Sequence, residues 1–97
     1  MNEIVFKELK LNIDLKTCYI SNKEIKLTKS EYNILELFLK NTNKVFSRKE
    51  ILEKIGNLKV SLRTIDTIIS RLRKKLGNLS KYIITRLGFG YGINSTI

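Results

Sequence analysis

The segment Arg71-Leu72-Arg73-Lys74-Lys75 places four cations within five residues, at helical spacing with Leu62, Ile65, Ile69, Leu72 and Leu76. At 100° per residue those five apolar side chains gather on one narrow face. Arg63, Thr67, Ser70 and Lys74 take the opposite face, with Thr64 and Arg71 on one flank and Asp66 and Arg73 on the other. A helix that enters the roughly 12 Å wide major groove of DNA needs this division, an apolar back to anchor it and a front of long cations and small hydroxyls. Arg and Lys reach guanine edges or phosphates, while Thr and Ser permit close approach. A solvated basic face gives the same pattern, and cations in a last helical turn also complement the macrodipole. The surroundings therefore decide.

Four further positions call for a reading. Arg48 stands in the first turn of a second predicted helix, where a cation and the helix N-terminus together suit a phosphate, or where Arg48 pairs locally. Arg86 lies beside a Gly88-Phe89-Gly90 turn, the tip of a predicted hairpin, and the negative potential of a narrow minor groove favours Arg there. An ordinary hairpin closing a sheet, with Tyr91 in the core, is the plainer alternative. Asp66 is ill-suited to phosphates and is expected to orient a nearby Arg. Cys18 falls in a predicted strand and reads as a small core residue.

The elements that position these residues are legible in turn. Residues 3–27 read as a strand meander, because Leu9, Leu11, Ile13 and Leu15 alternate with polar residues and Cys18, Ile20, Ile25 and Leu27 continue the pattern. Turn-forming residues interrupt it at 14–17 and 21–23. Thr28-Lys29-Ser30-Glu31 and Ser47-Arg48-Lys49-Glu50 are both capping boxes, flanked by the staple pairs Leu27/Tyr32 and Phe46/Ile51. They predict helices over about 29–40, with Tyr32, Leu35, Phe38 and Leu39 inward, and over about 48–55, ended by Gly56. A third helix is predicted over about 61–76, with Ile69 and Leu72 buried against the first. A polar connector then leads to a hairpin over about 82–94. A short capped helix, a tight connection and a basic helix match a helix-turn-helix plan.

Composition narrows the classes. The chain has 97 residues, one domain's worth, with 19 Lys+Arg against 9 Asp+Glu and a net charge of +10. So strong a positive balance points to a polyanionic partner. With no His and one Cys, a histidine-based triad, a His-containing zinc site and an internal disulfide are excluded. No acid pair or nucleophile–base pair suggests an enzyme, and no cofactor is expected. Low cysteine usage fits the cytoplasm, and no apolar run approaches the roughly 20 residues that span a bilayer.

Four ordered blocks carry a family resemblance: Ile25-Lys26-Leu27-Thr28-Lys29-Ser30-Glu31-Tyr32; Val45-Phe46-Ser47-Arg48-Lys49-Glu50-Ile51-Leu52; Leu62-Arg63-Thr64-Ile65-Asp66 continuing through Ile69-Ser70-Arg71-Leu72-Arg73-Lys74-Lys75-Leu76; and Ile84-Thr85-Arg86-Leu87-Gly88-Phe89-Gly90-Tyr91. Over residues 3–94 the chain resembles the C-terminal winged-helix effector domain of OmpR/PhoB-type response regulators. The resemblance implies an α+β winged helix-turn-helix with an N-terminal antiparallel four-stranded sheet, three helices and a C-terminal β-hairpin wing. It implies sequence-specific binding to double-stranded promoter DNA, typically by two copies head to tail on direct repeats. By position, Arg63, Thr67, Ile68, Ser70 and Arg71 then face the DNA, with Thr64 at the flank. Arg73 and Lys74 favour phosphates, and Arg48, Thr85 and Tyr91 support backbone contacts.

The chain departs from the family pattern in three places. Leu87 stands where relatives commonly carry Arg before the first wing glycine, and the Arg is at 86. Neighbouring strand residues point to opposite faces, so Arg86 does not simply inherit that contact. Ile55 replaces a frequent Trp, and residues 56–60 are short for the loop that meets RNA polymerase in some relatives. The family's phospho-acceptor receiver domain has no place in these residues; the chain reads as an excised effector domain or as a naturally receiver-free regulator. Two rival functions fit the charge or the fold alone. A small RNA-binding protein calls for exposed aromatics, which the basic helix lacks. A winged-helix protein-interaction module calls for none of the cationic face.

Overall fold

Leu9 and Leu11 alternate with Lys10 and Asn12, and in the computed structural model, which describes residues 2–56 and 61–96, that alternation becomes a strand with one buried face. Strands β1 (Glu3–Phe6), β2 (Leu9–Asn12), β3 (Thr17–Ile20) and β4 (Lys23–Ile25) form an antiparallel sheet in chain order. Register sets Leu9 opposite Ile20 and Cys18 between Leu11 and Ile25. Ser21 and Asn22 both take positive φ, which suits the two-residue turn joining β3 to β4. The alternation stops earlier than Leu15. Asn12 accepts the Leu15 N–H at 2.9 Å through its side chain, folding residues 12–15 into a turn and leaving Leu15 exposed.

Both capping boxes form. Thr28 and Glu31 bond reciprocally at the start of α1 (Lys29–Lys40), and Ser47 and Glu50 do so at the start of α2 (Arg48–Ile55). Gly56 closes α2 in the left-handed conformation. Ser61 caps α3 (Leu62–Leu76) through the Thr64 N–H at 3.3 Å. The expected tight connection before α3 falls on residues 57–60, outside the described residues.

Two elements have no signature in the periodicity. Residues 77–82 form a short 3₁₀ helix rather than an irregular connector. It includes Tyr82, whose ring meets Phe6 edge-on at 5.2 Å. Val45–Phe46 form a two-residue strand, β5, which pairs with the hairpin of β6 (Ile83–Arg86) and β7 (Gly90–Ile93) in the order β5-β7-β6. Gly90 is what permits this pairing. A Cβ there would lie 1.9 Å from the Phe46 carbonyl oxygen, so only glycine lets β7 approach β5.

The helices pack their apolar faces between the two sheets, in one core that joins Leu9, Leu11 and Cys18 to Phe38, Ile69 and Ile93. Phe38 and Phe46 stack with centroids 6.1 Å apart, tying α1 to β5. Burial pushes the Cys18 thiol up to about 11, as for an inert core cysteine. Glu31 enters this core as well, 1% exposed. Its carboxylate accepts from the Thr28 N–H at 2.8 Å and from Lys75 Nζ at 2.6 Å, linking the start of α1 to the end of α3.

Burial alone would raise the Glu31 carboxyl, but the Lys75 ammonium and the Thr28 N–H outweigh it and hold it below its ordinary value of 4.5. The unfolded chain therefore binds more protons than the folded one in this range. The Glu31 contribution is complete above pH 4.5 and lost as pH falls through the lower folded value. Melting temperature should accordingly fall on acidification below about pH 4.5, and Glu31→Gln should shrink that fall while lowering the neutral-pH melting temperature. Identical acid profiles for the two proteins would remove Glu31 from the account.

Candidate nucleic-acid interface

The face of α3 opposite the core is polar along its length. Arg63, Thr67, Ser70, Arg71 and Lys74 are exposed, while Ile65, Ile69, Leu72 and Leu76 are buried behind them. Two positions depart from expectation. Ile68, which the resemblance set toward DNA, is 7% exposed and packs in the core. It lies about 40° past the Arg71–Thr64 flank, close enough to the apolar back to be drawn in. Leu62, expected on the apolar back, is 46% exposed, since the first turn of α3 projects beyond the core toward the hairpin. Thr64 is half-buried, and its hydroxyl lies 3.0 Å from that of Ser61, so it serves the helix cap.

On the wing side of α3, polar groups brace the three elements against one another. Arg48 Nε donates to Asp66 Oδ1 at 2.8 Å, joining α2 to α3. The Tyr91 hydroxyl donates to the same oxygen, joining β7 to both. These bonds from Arg48 and Tyr91 hold the Asp66 carboxyl below the usual aspartate range. Burial, then the neighbouring Asp66, raises the Tyr91 phenol. The guanidinium groups of Arg48 and Arg73 lie 6.0 and 5.8 Å from the centre of the Tyr91 ring. Arg73 donates to the Ile83 carbonyl at 3.0 Å and to the Thr85 hydroxyl at 2.7 Å, so its guanidinium ties α3 to β6.

Arg73 and Thr85 are thus engaged with each other, and Tyr91 is core with its hydroxyl turned to Asp66. Asp66 orients a nearby Arg, as its position among cations led one to expect. Arg48 pairs locally, as one of its two readings has it, through Nε to Asp66, and its side chain remains 51% exposed. Between the wing and the first turns of α2 and α3 lies an open cleft of about 290 Å³, lined by Arg48, Lys49, Leu62, Arg86, Leu87 and Phe89 among others. Lys49 was not singled out from sequence, although it neighbours Arg48 in the first turn of α2. Glu31–Lys75 and Arg73–Thr85 leave no local pattern in the sequence, because their partners lie 44 and 12 residues apart.

The arrangement offers cations and hydroxyls on a rigid helix beside a braced hairpin. Among the described residues, no group of three or more His, Cys, Asp or Glu side chains is placed to hold a metal ion. No described helix is long and apolar enough to cross a membrane.

Comparison with known proteins bears on the same region. The family described as "Transcriptional regulatory protein, C terminal" matches residues 22–93. The transcriptional regulatory protein SrrA of Staphylococcus aureus is 37% identical over 94 residues, covering 91% of this chain and 39% of SrrA. The chain thus spans about two fifths of the length of the curated relatives it matches. Among solved structures, the DNA-binding domain of the response regulator AdeR, in complex with an intercistronic region, superposes with a TM-score of 0.84 at 29% identity. That match covers 94% of this chain and 97% of the AdeR chain. DrrB, an OmpR/PhoB homolog from Thermotoga maritima, superposes with a TM-score of 0.84 at 34% identity, covering 95% of this chain and 44% of DrrB.

Proposed function

Because the chain belongs to the family of C-terminal transcriptional regulatory domains, with the winged helix-turn-helix fold, we propose that it binds double-stranded promoter DNA as the effector domain of a two-component response regulator. The observation that carries this reading is the division of α3, with five exposed polar or cationic residues over a back in which Ile65, Ile69, Leu72 and Leu76 are buried, braced beside the wing. A protein-interaction module would not need that cationic face, and RNA reading would need exposed aromatics on it.

In this reading α3 lies in the major groove. Arg63, Thr67, Ser70 and Arg71 face base edges, Lys74 meets phosphate, and Thr64 stays at the flank. Arg48 and Lys49 approach the backbone at the start of α2, and Arg86 does so from the wing. Arg73, Thr85 and Tyr91 act indirectly, by fixing the angle between helix and wing. The protein works in the cytoplasm, with a second copy head to tail on a direct repeat. Contact with RNA polymerase would fall to residues 56–60, of which 57–60 lie outside the described residues.

Binding-site selection from random duplexes tests the assignment. An Arg forked onto O6 and N7 of guanine discriminates by roughly 1–3 kcal/mol, and alanine offers neither donor. Arg71→Ala should therefore lose affinity for the selected site and accept other bases at one position. Arg86→Ala should bind more weakly with an almost unchanged motif, since a wing Arg senses charge and groove width. If Arg71→Ala keeps the full motif while Arg86→Ala degrades it, the roles of helix and wing are reversed.

A further inference from the structure

The tip of the wing carries two large apolar side chains that nothing in the described chain covers. Leu87 is 91% exposed and Phe89 is 73% exposed. Scattered apolar residues on a surface need no explanation. These two differ in being one residue apart on a turn that is firmly held. The Phe89 N–H donates to the Arg86 carbonyl at 2.9 Å, and Gly88 has φ +82°, as the third position of a type II turn requires. Below the turn, Gly90 lies against the Phe46 backbone and Arg73 holds Thr85. Leu62, half-exposed, lines the same cleft as Leu87 and Phe89, and so do the cations Arg48, Lys49 and Arg86.

An apolar tip beside a cleft that three cations line fits a surface whose apolar interior lies between rows of phosphates. The minor groove of duplex DNA has sugar walls and a stacked base interior, and proteins that enter it often wedge Leu or Phe between base steps. The tip's position favours this partner over an anionic membrane, because one cleft joins it to the first turns of α2 and α3. A duplex seated on the polar face of α3 brings its neighbouring minor groove to the hairpin. We propose that the wing inserts Leu87 and Phe89 as an apolar wedge into the minor groove beside α3. The wing thereby selects a base step that opens easily. This rests on the DNA-binding reading above. Apolar side chains cannot read donors or acceptors, so their selectivity acts through deformability. The kink bends the duplex toward the major groove, which gathers phosphates around the cations of α3.

The test uses a duplex recovered by selection, labelled at both ends for energy transfer, with the Leu87→Ala/Phe89→Ala double variant. Both positions are exposed, and an unchanged thermal melt should confirm folding. The double variant should bend the duplex less, bind roughly five- to tenfold more weakly and lose its preference for a flexible pyrimidine–purine step under the wing. Its salt dependence should match the wild type, since no charge is removed. Leu87→Arg should steepen that dependence by about 0.9 without restoring the bend. Wild-type bend, affinity and step preference in the double variant would overturn the wedge while leaving DNA binding intact. A wild-type protein with no salt-dependent duplex binding would overturn the reading beneath it. Binding to phosphatidylserine vesicles that requires Leu87 and Phe89, with DNA affinity unaltered by the double variant, would give the tip to a membrane instead.

Discussion

Leu72→Ala is expected to destabilise the domain by roughly 2–5 kcal/mol, and Ile69→Ala by a similar amount. Both side chains are essentially inaccessible to water and join the core that α3 shares with α1 and the two sheets. Removing three carbons from either loses their transfer free energy and leaves a cavity that close-packed neighbours fill only in part. A domain of this size holds only about 5–15 kcal/mol in all, so each substitution removes a large share of its stability. Ser70→Ala, on the exposed face between them, should move stability by no more than about 0.5 kcal/mol. Urea unfolding of the three variants checks the contrast. Wild-type midpoints for Leu72→Ala and Ile69→Ala would mean that the faces of α3 are assigned wrongly.

Sequence was most informative where one local rule governed one element. The two capping boxes set the starts of α1 and α2 because each satisfies backbone N–H groups within four residues. The division of α3 followed from its 100° periodicity. That periodicity failed at the boundaries of the apolar stripe. Ile68 and Leu62 sit at its two edges, and tertiary contacts decided that Ile68 goes in and Leu62 stays half out. Alternation likewise could not show that the Asn12 side chain ends β2 before Leu15.

What sequence did not disclose is mostly long-range. β5 is two residues long and exists because β7 comes alongside it. The Gly90-Tyr91-Gly92 spacing was the available signal, since glycines inside a strand mark a close backbone approach. A Cβ on Gly92 would lie 2.2 Å from the Lys44 carbonyl oxygen, the same constraint as at Gly90. Within the candidate interface, the list of polar residues was legible but their division of labour was not. Arg73 reads as one more cation of the basic run, yet its Nη2 bonds Ile83 and Thr85. Asp66 was the exception, because one acid on a cationic helix already asks for a partner.

The proposed function has the exposed cations around this bracing grip the phosphates of a duplex. Arg48, Lys49, Arg63, Lys74 and Arg86 are exposed on the elements around the cleft and α3, and so is Arg71, for which base reading is proposed. With four to six phosphates neutralised, log affinity against log salt should have a slope of about −4 to −5. Raising salt fourfold, from about 50 to about 200 mM, should then weaken binding roughly 10²- to 10³-fold. Lys74→Ala should make the slope shallower by about one unit and weaken selected and unrelated duplexes alike. The most direct measurement is a salt titration of duplex binding by fluorescence anisotropy, for the wild type and Lys74→Ala side by side. A steep wild-type slope, reduced by about one unit in the variant, is the predicted result. A flat salt response in the wild type would contradict the account.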